Sequence, residues 1–222
     1  MPDKKTIAVL GGTGDLGGGL AWRLVQAGFS VIIGARSLEK AETSAKALAK
    51  RAGKKVLGLA NPEAAAAADL VIMTVPFASH KPTLKNIRES VQGKIFVDAT
   101  FPPVPPKVMC AQMPADGSAA SEAQKVLGDE VRVVSAFQNL VAEQLNADDA
   151  HLDQCHILVC GNDPTAREIV VQLSEELGMR AWHAGPVDNA AIVESLTSVL
   201  NFMNKRYKFP SAGIKIMAGK EA

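Results

Sequence analysis

The feature that most narrows what this chain can fold into lies near its start, where Thr6-Ile7-Ala8-Val9-Leu10 runs straight into Gly11-Gly12-Thr13-Gly14-Asp15-Leu16-Gly17. An apolar strand that opens into G-x-G-x-x-G, at Gly12, Gly14 and Gly17, predicts a strand-turn-helix unit. Leu20, Leu24 and Val25 are spaced to share one face of the helix, Gly28 stops it, and Phe29–Gly34 supplies a second apolar strand. In such a β-α-β unit Gly12 is expected to permit the tight turn, Gly14 to let backbone approach a pyrophosphate, and Gly17 to let helix pack closely on strand. Unpaired N–H groups and the positive dipole end at the helix start then face the phosphates.

The residues after the second strand choose between dinucleotides. An NAD site usually carries an acid roughly 20 residues beyond the motif, bonded to the ribose 2′-hydroxyl. Here the strand end reads Gly34-Ala35-Arg36-Ser37-Leu38-Glu39-Lys40, with a guanidinium and no carboxylate. Arg36 can stack on adenine and donate to a 2′-phosphate, and Lys40 adds a second charge one turn along. Ser37 fits the N-cap of the next helix and can also donate to the phosphate. Arg36 and Lys40 also suit solvated surface positions, but cations at a helix start oppose its dipole, which favours an anion as their reason for being there. NADP is the expected cofactor.

A single large domain, or a nucleotide domain with an appendage, suits the 222 residues. The net charge of +1, with no basic face or arm, argues against a nucleic-acid partner. The start of the chain lacks the apolar core of a signal peptide, and no apolar stretch approaches the ~20 residues that cross a bilayer, so no membrane partner is expected. Cys110, Cys155 and Cys160 are odd in number and lack C-x-x-C spacing, which suits a reduced, cytoplasmic setting.

Further strands are expected at Lys55–Leu59, Asp69–Pro76, Lys94–Ala99 and Val131–Phe137, with helices between them over 37–52, from Asn61-Pro62-Glu63 with Asn61 as capping side chain, over 78–93 and around 118–127. Phe101–Pro106 is too proline-rich for a strand or a helix interior. This rhythm predicts an α/β fold, a Rossmann-like doubly wound parallel sheet over residues 1–150. Residues 151–222 predict a small C-terminal α/β module for substrate or dimerisation. It comprises strands at His156–Gly161 and Met179–Ala184, a helix opened by Asn162-Asp163-Pro164, and a long helix running to Asn204. The stripe Ile192, Leu196, Val199 and Phe202 along that helix is expected to be buried, in the core or partly against a second subunit.

Ligands of an open α/β sheet sit outside the carboxyl ends of its strands. That rule selects Thr13–Leu16, Ala35–Ser37, Thr74–Phe77, Ala99–Phe101 and Ser135–Asn139 as one rim, which includes Ala136. Thr74, Pro76 and Phe77 can bracket the nicotinamide and its ribose, and Gln138 and Asn139 can hold a carboxamide or the carbonyl groups of an acceptor. His151, Cys155 and His156 lie close in sequence but lack a further ligand pair, so no metal is expected. Neither a G-x-S-x-G elbow nor a Walker motif is present. Trp22 reads as a packing residue.

The stretch Leu10–Gly17, then Gly34-Ala35-Arg36 and Lys40-Ala41-Glu42, resembles the NADPH-dependent reductases of the 8-hydroxy-5-deazaflavin coenzyme F-420. The resemblance continues through Val133–Phe137, Val159–Asp163, Ala184-Gly185-Pro186, Val193-Glu194-Ser195-Leu196-Thr197 and Gly213-Ile214-Lys215, nearly the whole chain. It implies hydride transfer between NADPH and a deazaflavin co-substrate in a small cytoplasmic homodimer. It further implies that Thr13, Leu16, Arg36 and Lys40 hold NADP and that Ser195 and Thr197 face the deazaflavin. Gln138 and Val141 stand where the family usually has histidine and proline, and Ala35 and Asp15 where it tends to have serine and asparagine. The turn at Gln138–Leu140 is therefore an acceptor-side candidate with no certain acid or base. The departure at Gln138 leaves an NADPH-dependent reductase of a flavin, quinone, metal chelate or imine as one alternative, and the missing acid-base residues also fit a non-catalytic NADP-binding redox sensor.

Overall fold

Six parallel strands, β1 (Thr6–Leu10), β2 (Ser30–Ala35), β3 (Leu57–Ala60), β4 (Leu70–Met73), β5 (Ile95–Asp98) and β6 (Arg132–Ser135), form most of one sheet in this computed structural model. The structure describes residues 5–103, 106, 108–147 and 151–217. Two further strands, β7 (His156–Gly161) and β8 (Arg180–Gly185), complete the order β3-β2-β1-β4-β5-β6-β7-β8. The helices are α1 (Asp15–Gln26), α2 (Leu38–Ala52), α3 (Asn61–Ala67), α4 (Phe77–Ile87), α5 (Ala119–Leu127), α6 (Ala142–Asn146), α7 (Pro164–Glu176) and α8 (Ala190–Tyr207).

Strand residues alternate between two cores. Ile7 and Val9 face α1 and α2 with Leu20, Leu24, Ala41 and Ala45, while Ala8 and Leu10 face the other side with Ala64, Leu84 and Ile87. Both faces are covered, so the strands are apolar throughout rather than alternating in polarity. The α/β, Rossmann-like architecture expected from the sequence is the one observed.

Its direction changes once. β7 lies antiparallel to β6, with Ser135 opposite Cys160 and Val134 opposite Gly161, and β8 lies parallel to β7. The sequence rhythm predicted parallel strands, and the reversal follows from the connection. Phe137–Leu140 turns the chain at the carboxyl end of β6, and α6 then packs on α1, where a Cβ on Gly19 would meet the Leu145 Cβ at 2.7 Å. The chain thus enters β7 from the end at which it left β6, with no crossover. Beyond α8, the segment 208–217 has no regular structure but follows β7, since Ile214 accepts the His156 N–H and the Ile216 N–H donates to His156 Nδ1, at 2.8 and 3.0 Å.

Three local expectations are corrected. Asn61 is not a cap: the N-cap of α3 is Ala60, and Asn61 is buried inside the helix with Pro62. The helix expected over 78–93 ends at Ile87 and tightens into a 3-10 turn over Arg88–Val91. The stripe on α8 does not enter the core of this chain, because Ile192, Val199 and Phe202 are exposed and the inward face is Ala190, Val193, Glu194, Thr197 and Ser198. Apolar periodicity pointed outward here because polar side chains on the other face find buried partners, described below. Ser37 caps α2 as expected, and Ser118 caps α5. Trp22 is buried with the Arg51 guanidinium over its ring at 3.8 Å, a packing position. In the proline-rich loop Phe101–Pro103 is irregular, while Val104 and Pro105 lie outside the described residues, as does the start of the chain through Lys4.

Candidate active site

The dinucleotide turn is built by close backbone approach. Positive φ falls at Gly11 (φ 80) rather than Gly12, whose φ needs no glycine. Gly12 is fixed by space instead, since a Cβ there would meet the Val9 carbonyl at 2.9 Å and the Ile33 side chain at 3.0 Å. Gly17 is tighter still, with Thr74 Oγ1 at 2.4 Å and the Gly11 carbonyl at 2.5 Å from its Cβ position. Gly14 differs: its nearest neighbour would be the Gly11 carbonyl at 3.4 Å, so its open side faces the cleft. It is also the N-cap of α1 and offers no side chain to the first-turn N–H groups, which a bound anion can therefore use.

A cleft of about 820 Å³ runs from this turn across the carboxyl ends of β1, β2 and β4. Of the residues expected to hold NADP, it brings together Thr13, Gly14, Asp15, Leu16, Ala35, Arg36, Ser37, Lys40, Thr74 and Pro76. Gly12 and Gly17 shape the turn from behind. Arg36 and Lys40 are exposed and have no ion pair among the described residues. Ser37 Oγ accepts the Lys40 N–H at 3.5 Å, which closes the first turn of α2 beside both cations. Thr74 donates its hydroxyl to the Leu10 carbonyl at 3.0 Å and fixes the end of β4 against β1. Phe77 does not line the cleft; it starts α4 and packs on the His80 ring at 5.7 Å. Ala136 is fully buried, its N–H held by the Asp98 carbonyl.

Asn61, Ser79, Thr83 and Ala142 also line the cleft and were not foreseen. Asn61 is the most informative, because its Oδ1 is buried without a hydrogen-bond partner while the residue shares the wall of the cleft and of its continuation with Arg36 and Thr83. An orphaned amide oxygen costs roughly 1–3 kcal/mol and suits a donor on the ligand. The carboxyl-end rule would have found it had β3 been read to Ala60 rather than Leu59.

The acceptor-side candidates form a second group, off the lining of that cleft. Phe137 has φ 73, an unfavourable conformation for an aromatic residue that costs of order 1–3 kcal/mol and turns the chain sharply after β6. The turn is held from α8. Thr197 donates to the Gln138 carbonyl at 3.2 Å, while Asn139 Nδ2 donates to the Val193 carbonyl and to Thr197 Oγ1, both at 3.2 Å. Gln138 Nε2 donates to Ser135 Oγ at 3.1 Å, leaving its buried Oε1 unpartnered. Leu140 packs against the core. Ser195 stands apart from this group: its hydroxyl donates to the Ala191 carbonyl at 2.6 Å, within α8. Thr197→Val should therefore loosen the turn while leaving the fold intact, raising the KM of the acceptor by about fivefold and that of NADPH by less than twofold, since a net hydrogen bond is worth about 1 kcal/mol. Steady-state kinetics with each substrate varied in turn checks this.

No group of three or more His, Cys, Asp or Glu placed to hold a metal occurs among the described residues, and none of their helices is long and apolar enough to cross a membrane.

Comparison with known proteins gives this geometry a family. Residues 6–102 match the model described as NADP oxidoreductase coenzyme F420-dependent. The F420-dependent NADP reductase of Methanocaldococcus jannaschii is 40% identical over 219 residues, 95% of this chain and 97% of that protein. The protein of the same name from Methanothermobacter thermautotrophicus is 40% identical over 222 residues, with 95% and 94% covered. A crystal structure of a candidate F420-dependent NADP-reductase from Arthrobacter sp. FB24 superposes with a TM-score of 0.81 at 26% identity, covering 96% of this chain and 100% of that one. The chain belongs to the coenzyme F420-dependent NADP oxidoreductase family.

Proposed function

We propose that this protein transfers a hydride between NADPH and coenzyme F420, a deazaflavin. The observation that carries this reading is the continuous cleft from the open side of Gly14 to the Arg36–Lys40 pair, in a chain 40% identical over 95% of its length to F420-dependent NADP reductases. When bound, NADPH supplies the hydride and the oxidised deazaflavin takes it up with one proton from water, giving NADP⁺ and the reduced deazaflavin.

The residues then have separable tasks. Gly14 and the N–H groups that begin α1 hold the pyrophosphate, Arg36, Lys40 and Ser37 the 2′-phosphate, and Thr13 and Leu16 the adjoining sugar and phosphate. Asn61 accepts a hydrogen bond from the adenosine half. Thr74 and Pro76 bracket the nicotinamide end, and Gln138–Leu140, braced by Thr197, set the acceptor face. Hydride transfer needs reacting carbons held about 3–3.5 Å apart without intervening water and little acid-base help, which fits a rim poor in acids and bases. Stopped-flow mixing with NADPH deuterated at the nicotinamide should move deuterium to the deazaflavin. Turnover with riboflavin or a quinone but not with the deazaflavin would assign another acceptor, and NADP binding without turnover of any acceptor would make the protein a sensor.

Residues 151–222 act in this reading as the substrate and dimerisation module. α8 presents Thr197 inward and Ile192, Val199 and Phe202 outward, and that outward row suits a homodimer contact. Phe202→Glu should then shift the sedimentation coefficient from dimer to monomer at micromolar concentration; an unchanged value would place the contact elsewhere. A cytoplasmic setting is supported by the free Cys110, Cys155 and Cys160.

A further inference from the structure

Glu194 is a carboxylate with almost no exposed surface, one residue beyond Val193 and three before Thr197 on the inward face of α8. Its two oxygens accept the N–H groups of Ala119 and Ala120, at 2.7 and 3.1 Å. These are the first residues of α5, whose Ser121 N–H is taken by the Ser118 cap at 2.9 Å. Glu194 thus supplies acceptors for the donors that a helix start leaves orphaned, and it does so from another helix, 74 residues away in sequence. The same turn of α8 supplies the Val193 carbonyl and the Thr197 hydroxyl that hold Asn139 and Gln138. Residues three apart share a helix face, so a rotation of α8 that released Glu194 would also withdraw Thr197.

We propose that Glu194 is a positioning residue for the Gln138–Leu140 turn, and that gain or loss of its proton changes how firmly that turn is held. The proposal deepens the reading above, in which this turn faces the deazaflavin. An ionised carboxylate accepts at both oxygens, whereas the protonated acid places a hydroxyl against one of the two N–H groups and keeps one good acceptor. Burial, and the neighbouring Asp98 charge, push the Glu194 acid up to about 8, against the pull of the Ala119 and Ala120 N–H groups and of His80. Asp98 and His80, the charged side chains that act on it, belong to a chain of ion pairs. His80 Nε2 meets Asp98 Oδ2 at 2.6 Å, His80 Nδ1 meets Glu122 Oε2 at 3.0 Å, and Lys81 Nζ meets Glu122 Oε1 at 3.0 Å. Cys160 on β7 also senses the Glu194 charge and, buried, is pushed up to about 11, with Arg167 acting the other way. Ionisation of Glu194 adds one buried negative charge beside Asp98, which the start of α5 and His80 offset. The clamp therefore tightens as pH rises through about 8, while the folded protein loses stability as pH climbs from the ordinary glutamate value of 4.5 to about 8, where the loss levels off because both folded and unfolded states are then ionised.

The test follows backbone amide resonances of the full-length protein from pH 6 to 10, in wild type and in the near-isosteric Glu194→Gln, alongside kinetics with NADPH and the deazaflavin. The amides of Ala119, Ala120 and Gln138–Leu140 should titrate together near pH 8 in wild type and stay flat in Glu194→Gln. The ratio of acceptor KM between Glu194→Gln and wild type should rise about fivefold across that range, the loss of one hydrogen bond, with the NADPH ratio constant. Should Glu194→Ala fold, it should raise the acceptor KM at every pH, and Glu194→Gln should rescue it at pH 6. Titration of Ala119 and Ala120 without Gln138–Leu140, or equal changes in both KM values, would overturn the proposal. Joint titration of both sets with an unmoved acceptor KM would uphold the link and remove instead the assignment of this turn to the deazaflavin.

Discussion

Gly14→Val should fold normally and bind NADP at least about 100-fold more weakly, a loss near 2.7 kcal/mol. The fold is spared because Gly14 sits at φ −91 and ψ 172, an extended conformation that suits a β-branched residue, and its Cβ would touch nothing closer than the Gly11 carbonyl at 3.4 Å. The binding is lost because the open side of Gly14 is the cleft, where valine methyl groups take the volume that the pyrophosphate needs. Gly17→Ala is the control. Its single methyl would lie 2.4 Å from Thr74 Oγ1 and 2.5 Å from the Gly11 carbonyl, so it should lower the melting temperature before it alters affinity. Calorimetry with NADP and thermal melting of both variants separate the two effects. Wild-type affinity in Gly14→Val would mean that the phosphates bind elsewhere.

Arg36→Ala should raise the KM for NADPH at least tenfold and leave that for NADH within twofold. The guanidinium stands at the exposed end of β2 beside Lys40, and neither has an ion pair among the described residues, so both charges are available to a 2′-phosphate. A hydrogen bond between charged partners is worth about 1.5–3 kcal/mol, and the contact is absent with NADH. The NADPH effect should shrink as salt is raised, because this end of the cleft is open to solvent. Equal losses for both cofactors would show Arg36 to be structural.

Much of this was legible in the chain because its strongest signals are local. A strand, three spaced glycines and a helix start follow one another without a break, and Ala35-Arg36-Ser37 comes at the next strand end, so periodicity and turn chemistry place the nucleotide half of the cleft. What escaped depends on contacts distant in sequence. The reversal at β7 follows from a strained Phe137 and from α6 docking on α1, neither of which leaves a sequence pattern. Apolar side chains at helical spacing usually mark a core face, yet Ile192, Val199 and Phe202 point out of this chain. Here Glu194 and Thr197 find their partners in α5 and in the turn after β6, and those partners determine which face turns inward. Asn-Pro often begins a helix, which makes Asn61 look like a cap, and only the folded chain brings it to the wall of the cleft.

The single reversal of strand direction also divides the family motifs by what selection acts on. Since β7 runs against β6, the turn after it, Asn162-Asp163, emerges beside Asp129 and Arg132 at the amino end of β6, on the side of the sheet away from the nucleotide. Its side chains are already committed: Asn162 Oδ1 takes the Val187 N–H and Asp163 Oδ1 the Ala166 N–H. A motif at the end of a strand is commonly credited to catalysis, yet drift at these two positions would be filtered by the ability to fold, and the hydride would never sense it.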